Sequence, residues 1–378
     1  MIFPDYKRSV VNVAASMIAA FGGAPFYKPL KELEDLFGRK KVVFLTIDGL
    51  GYEFLQKYGQ GSFLQKHVTA KITSTFPATT AAAETALETG VAAQQHAITG
   101  WFVYFKEMGT VARALLFEPR WGKCNFSAAG IKYEEIFNEK KVFEKILVAY
   151  SLVLPKVIID SYKTYDKGSL LPYSDLGGMV RQIKKAAGIP GRRFIYSYWL
   201  ELDKICHKHG CKSKEARGHF WEIDHIIEGL AKHLAKMDCC LVITADHGLV
   251  DVPEKNRVVL NRDFPDIYNC LSLPLCGDTR APYCYVRANR VAEFKKLVKD
   301  KLGYCCELRK SADFIKRGVF GLGQANPKLY DRAGDYILIC KEGYLIRDYL
   351  MGEEPAKLEG FHGGMSQDEM FVPLIIVG

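Results

Sequence analysis

The stretch VVFLTIDG, residues 42–49, sets the reading of the whole chain. Val42–Ile47 is a short, almost wholly apolar run rich in β-branched residues, the mark of a strand buried on both faces. It stops abruptly at Asp48-Gly49. Three further runs share its character: FIYSYWL (194–200), LVITA (241–245) and VPLIIV (372–377). Patterns of helical period lie between them. In 213–236, Phe220, Ile223, Ile226, Ile227, Leu230 and Leu234 recur on one face. Strands alternating with helices predict an α/β fold with a largely parallel central sheet. The segment 254–355 has its own strand-like and helical pieces, APYCYVRA and then VAEFKKLVKDKLG, and reads as a small inserted α+β subdomain within a single domain spanning 1–378.

The chemistry lies just past the end of each strand. VVFLTI ends at Asp48, FIYSYWL leads into Asp203 and His207, and LVITA ends at Asp246-His247. Open α/β sheets gather ligands at the carboxyl ends of their strands. These residues are therefore predicted to share one edge. Asp203 and His207, four apart, fall on one face of a helix, and His362 sits in GFHGGM near the C-terminus. Mixed Asp and His ligands suit zinc, with manganese the alternative. Three aspartates and two histidines already exceed one tetrahedral ion. They suit two neighbouring ions of the kind that clamp both oxygens of a phosphoryl transfer. A lone Asp at a strand end is ordinarily a cap or turn residue, and a lone His a satisfied surface or core residue. That bland account would have to hold separately for every member of the set. It is the better account for His67, His96, His219, His225 and His233, whereas His209 is a rival ligand to His207.

A second stretch, STFPATTAAAETALETG (74–90), packs five threonines around the start of a short helix that Gly90 ends. The hydroxyls either cap the helix or supply a nucleophile, and one residue can do both. Open N–H groups at such a helix start hold phosphate oxygens. A threonine hydroxyl is a poor nucleophile at neutral pH, and coordination to a metal lowers its pKa and makes an alkoxide available.

Composition excludes several classes. The chain has 378 residues, 48% of them apolar and 25% charged, enough for a large globular core. Its net charge of +9 is dispersed rather than gathered into the stripe a nucleic-acid partner needs. The eleven cysteines are odd in number and form no C-x-x-C pair, which fits a reducing cytosol better than a disulfide framework or a zinc ribbon. Lys7-Arg8 before SVVNVAASMIAAF gives a faint likeness to a secretory signal. Asp5, Asn12 and Ser16 interrupt it, and Val10, Val13, Met17 and Phe21 recur at helical spacing. The expectation is an amphipathic helix packed on the body of a cytoplasmic protein. No run reaches the ~18 apolar residues of a membrane span, and no membrane partner is expected.

The order of these motifs resembles the alkaline phosphatase superfamily, and most closely its type I phosphodiesterase/nucleotide pyrophosphatase branch. The motifs are Asp48-Gly49, a Thr-rich helix ending Thr89-Gly90, Asp203-x3-His207-x2-Gly210, Ala245-Asp246-His247-Gly248 and Gly360-x-His362-Gly363-Gly364. The resemblance runs from about residue 40 to the end. It implies an alkaline-phosphatase-like α/β/α sandwich with two metal ions. One ion would be held by Asp203, His207 and His362. The other would be held by Asp48, Asp246, His247 and the nucleophile's oxygen. The family's spacing to the Thr-Gly turn places the nucleophile at Thr80. Alignment on Thr-Phe-Pro would place it at Thr75, and Thr79 is the next candidate. The implied activity is metal-dependent hydrolysis of a small phosphate ester, a diester foremost. Phosphomonoesterase or phosphomutase chemistry on the same fold is the alternative, but no Arg lies in 74–90 to meet a monoester's extra charge. A binding protein without catalysis would tend to have lost ligands, and the set is intact. Two positions depart from the branch. Ala81 stands where a nucleoside-stacking Phe is expected, and Trp101 stands near the position of a phosphate-binding Asn. The Cys/Ser-x-Pro-x-Arg signature of sulfatases is absent.

Overall fold

The structure, a computed structural model, describes residues 1–122, 124–159, 170–353 and 357–378. Seven strands form the main sheet. Their spatial order is Val68–Thr73, Phe371–Val377, Cys239–Thr244, Lys41–Ile47, Arg193–Trp199, Ala149–Pro155 and Leu170–Tyr173. Lys41–Ile47 lies at the centre, parallel to both neighbours, and only Phe371–Val377 runs the opposite way. The apolar run at 42–47 is continuous because both faces of its strand are covered.

The pleat shows the layers. Tyr196 on one face reaches Glu84 of the Thr80–Thr89 helix. Trp199, of opposite parity, donates its indole N–H to His219 of the Lys214–Ala235 helix on the other side. The expected helix near the N-terminus is Val10–Ala20, and it packs on the Thr80–Thr89 helix. Among the described residues no helix is long and apolar enough to cross a membrane.

A second, antiparallel sheet also has seven strands. Cys276–Asp278, Ala281–Cys284, Cys306–Lys310 and Tyr336–Cys340 come from the segment expected to be inserted. Phe102–Phe105, Thr110–Arg113 and Glu118–Pro119 join them from a distant stretch of chain, which periodicity alone did not link to it. The Val291–Leu302 helix covers this sheet through Phe294, Val298 and Leu302. The segment's expected end at residue 355 lies outside the described residues.

The register decides where function can sit. Thr46 pairs with Thr244, and Ile47 with Trp199, so three adjacent strands end level with one another. Just beyond those ends come Asp48, Asp246 and the helix Glu201–His209, which carries Asp203 and His207.

Candidate active site

Three strand ends and one glycine-rich loop converge on two ligand sets. Asp48, Asp246 and His247 offer ligand atoms within 4.8 Å of one another, and so do Asp203, His207 and His362. Asp203 and His207 lie one turn apart on their helix, with Oδ2 and Nε2 separated by 3.3 Å. The His362 ring stacks on His247 with centroids 4.0 Å apart, which brings the two sets side by side.

Backbone geometry aims these side chains. Asp246 Oδ1 accepts from the Gly49 N–H at 3.1 Å and the His247 N–H at 2.9 Å. Gly49 has φ +77°, and a Cβ there would lie 2.7 Å from Leu249 and 3.1 Å from Asp203, so only glycine fits the turn. Gly363 has φ +102°, and its N–H donates to the Ala78 carbonyl at 2.8 Å, tying the His362 loop to the turn before the Thr-rich helix. Ser74 ties the same turn to the Asp246 carbonyl. His207 Nδ1 lies 2.8 Å from the Gly360 carbonyl, and His247 Nδ1 lies 3.1 Å from the Gly248 carbonyl. A carbonyl only accepts, so each Nδ1 is the protonated nitrogen. Each Nε2 is the ring nitrogen turned toward the cluster.

The Thr80–Thr89 helix begins at the cluster, and Gly90 closes it in the left-handed conformation at φ 71°. Thr80 Oγ1 lies 3.0 Å from His247 Nε2. Thr79 is the N-cap, but its side chain makes no capping bond and instead donates to Asp278. Thr75 is fully buried, its hydroxyl donating to the Pro77 carbonyl at 3.1 Å. Of the three threonines weighed from sequence, Thr80 is thus the one whose hydroxyl meets the ligand cluster. His209 is exposed and outside both sets. His96 is buried among apolar residues with its Nδ1 accepting from the Ile98 N–H, and His219 receives Trp199.

The donors fit divalent cations. Asp48 Oδ1, Asp203 Oδ1, Asp246 Oδ2 and His362 Nδ1 are all buried without a hydrogen-bond partner. Buried polar atoms are otherwise paired. Burial, and then the neighbouring Asp246 and Asp203, push the Asp48 carboxyl well above its ordinary pKa. Burial likewise raises Asp203, and it holds His362 well below the usual imidazole range. Crowded buried carboxylates favour positive charge nearby, and both donor sets suit divalent cations.

Two participants escaped sequence reading. Tyr198, on the strand Arg193–Trp199, donates its hydroxyl to Asp48 Oδ2. Asp278, on the second sheet, accepts from Thr79 and, at 3.2 Å, from the Trp101 N–H. Burial raises its pKa to about 6. The parity of Tyr198 on its strand could have flagged it, whereas nothing local distinguishes Asp278. Around these groups lies a cavity of about 630 Å³. Thr80, Asp48, Asp203, His207 and His362 line one part. Trp101, Leu275–Thr279 and Ile346–Asp348 contribute from the second sheet and its flanks.

The sequence pattern of the type I phosphodiesterase / nucleotide pyrophosphatase family matches residues 42–365. No curated protein matches the chain. Among solved structures, murine ectonucleotide pyrophosphatase/phosphodiesterase 5 superposes with a TM-score of 0.64 at 17% identity, covering 88% of this chain and 87% of that one. The human protein gives 0.65 at 16% identity, covering 89% and 88%. An inactive murine variant in complex with AMP gives 0.63 at 18% identity, covering 89% and 87%.

Proposed function

The chain belongs to the type I phosphodiesterase/nucleotide pyrophosphatase family, and from that premise we propose that it hydrolyses small phosphate esters, diesters foremost, with Thr80 as nucleophile and two divalent ions, zinc before manganese. The observation that carries this is the Thr80 hydroxyl 3.0 Å from His247 Nε2, at the junction of two ligand sets. Asp203, His207 and His362 would hold one ion, and Asp48, Asp246, His247 and Thr80 Oγ1 the other. Bound there, the ions supply Lewis acidity and lower the pKa of a coordinated hydroxyl or water.

The rest is work for the chain's own groups. Thr80 Oγ1 bonds to phosphorus as the bond from phosphorus to the leaving oxygen breaks, and the proton lost by Oγ1 passes through solvent to the leaving oxygen, which departs as the alcohol. Water then cleaves the Thr80 phosphoester and restores the hydroxyl. The helix that starts at Thr80 offers its first-turn N–H groups and the positive end of its dipole to the phosphoryl oxygens. Tyr198 keeps Asp48 oriented and Gly360 keeps His207 in its tautomer. The AMP held by a structural relative supports a small phosphate-ester substrate. All eleven cysteines are free, ten of them buried, which supports the cytoplasmic reading.

Paired turnover of an aryl phosphodiester and the matching monoester by metal-stripped protein, reloaded with zinc or manganese, tests the proposal. The expected result is faster diester turnover, lost by on the order of 10³-fold or more in Thr80→Ala with metal content nearly unchanged. Full activity in that variant would move the nucleophile to Thr79 or Thr75. Faster monoester turnover would favour a phosphatase.

A further inference from the structure

The nucleophile segment carries no cation beyond the helix dipole, yet the cavity wall does. Arg347 ends the short strand Leu345–Arg347, paired in parallel with Arg257–Val259, and it lines the same cavity as Thr80. Its neighbours are already committed. Arg257 holds Glu359 at 2.8 Å and Arg262 holds Asp263 at 2.7 Å. Asp348, next in sequence, is held by Arg120 at 2.8 Å and by the Leu275 N–H. Lys204, the other cation lining the cavity, holds Glu201 at 2.9 Å. Among the described residues Arg347 has no carboxylate partner. Its Nε is buried and makes no hydrogen bond, and the Tyr349 ring lies 4.9 Å from the guanidinium.

A half-buried guanidinium without a counter-ion is costly and stays charged. Its planar fork matches a carboxylate or a phosphate. Arg257 and Arg262 lie near it with like charge, and the Tyr349 ring is neutral. Arg347 comes from the strand Leu345–Arg347, not from the main-sheet strand ends and the helix that carry Asp48, Asp246 and Asp203. The cavity it shares with Thr80 has apolar walls, among them Leu115, Leu116, Leu154, Leu200, Leu275 and Ile346.

We propose that Arg347 is the specificity-determining residue for the non-reacting half of the substrate, where it takes a second anionic group, carboxylate or phosphate, carried on an apolar body that fills the cavity. This rests on the hydrolase reading above for its reaction and on the cavity alone for its binding.

Three nitrophenyl phosphodiesters test it, differing only in the second ester group: a plain alkyl chain, the same chain ending in a carboxylate, and the same chain ending in a phosphate. Wild-type protein is expected to show a lower KM for at least one anionic compound than for the plain one. In Arg347→Gln that KM should rise roughly 10- to 100-fold, with kcat and the plain compound's kcat/KM held within about twofold. Arg347→Lys should recover part of the loss. The anionic compound with the larger rise identifies the group. An unchanged ratio between anionic and plain compounds, or an equal loss on all three, overturns the proposal. Calorimetric binding of the same compounds to Thr80→Ala, with and without Arg347→Gln, separates the two readings. Lost turnover of every compound by wild type refutes the hydrolase, whereas anion selectivity that vanishes with Arg347 still upholds the site. Binding that never depends on Arg347 refutes the site whatever the turnover.

Discussion

The two ligand sets are built differently. Asp48, Asp246 and His247 are all buried, come directly after two central strands and are held by backbone N–H groups and the Tyr198 hydroxyl. In the other set only Asp203 is buried; His207 comes from a helix and His362 from a glycine-bounded loop. The first set is thus part of the sheet's own architecture, and the second is assembled onto it. Rigid strand ends hold the donors beside Thr80 in a fixed geometry, and under the proposed mechanism small displacements there would be costly. The second set, with His207 and His362 only partly exposed, is the more accessible of the two.

The sharpest way to break this contrast is to remove one ligand from each set. Asp246→Ala strips the acceptor from the Gly49 and His247 N–H groups. Two buried donors left unmet cost about 1–3 kcal/mol each. Chelated Asp246→Ala should therefore unfold at a markedly lower urea midpoint than chelated His362→Ala, whose Nδ1 makes no bond to lose. Equal midpoints would erase the distinction. Tyr198→Phe probes the buried set alone. It should weaken one of two ions by roughly tenfold or more, read by competition with a chelator, and leave the other unchanged.

His96 is the control imidazole, buried like His247 but outside both ligand sets. Burial, and then Arg332, lower its pKa from 6.5 to about 3. The unfolded chain takes up this proton first, so the stability is fully present above pH 6.5 and is lost as pH falls from there toward 3. The loss is about 1.4 kcal/mol per unit in that window. His96→Gln should flatten that part of the urea midpoint against pH; an unchanged slope would exonerate His96. The smallest effect belongs to His209→Ala, which should leave metal content and turnover within about twofold, since His209 is exposed and outside both sets.

Much of this could be seen in the chain before folding, for physical reasons. Val42–Ile47 is buried on both faces, so its composition announces a central strand, and the residue after it must sit at the sheet's edge. The same logic covers Asp246-His247, and helical spacing covers Asp203 with His207. The start of the Thr-rich helix and its close at Gly90 come from local rules.

Other features needed the folded chain. Periodicity says which face of an element is buried but not what lies opposite, so Tyr198 reads as one more core aromatic until Asp48 is brought against it. Asp278 and Arg347 carry no local pattern. Asp278 reaches the cavity because Cys276–Asp278 pairs with the distant strand Phe102–Phe105, and Arg347 because Leu345–Arg347 pairs with Arg257–Val259. The choice among Thr75, Thr79 and Thr80 is of the same kind. All three lie within six residues and carry the same hydroxyl. What separates them is which hydroxyl the turn aims at His247, and that direction exists only once the sheet has set His247 in place.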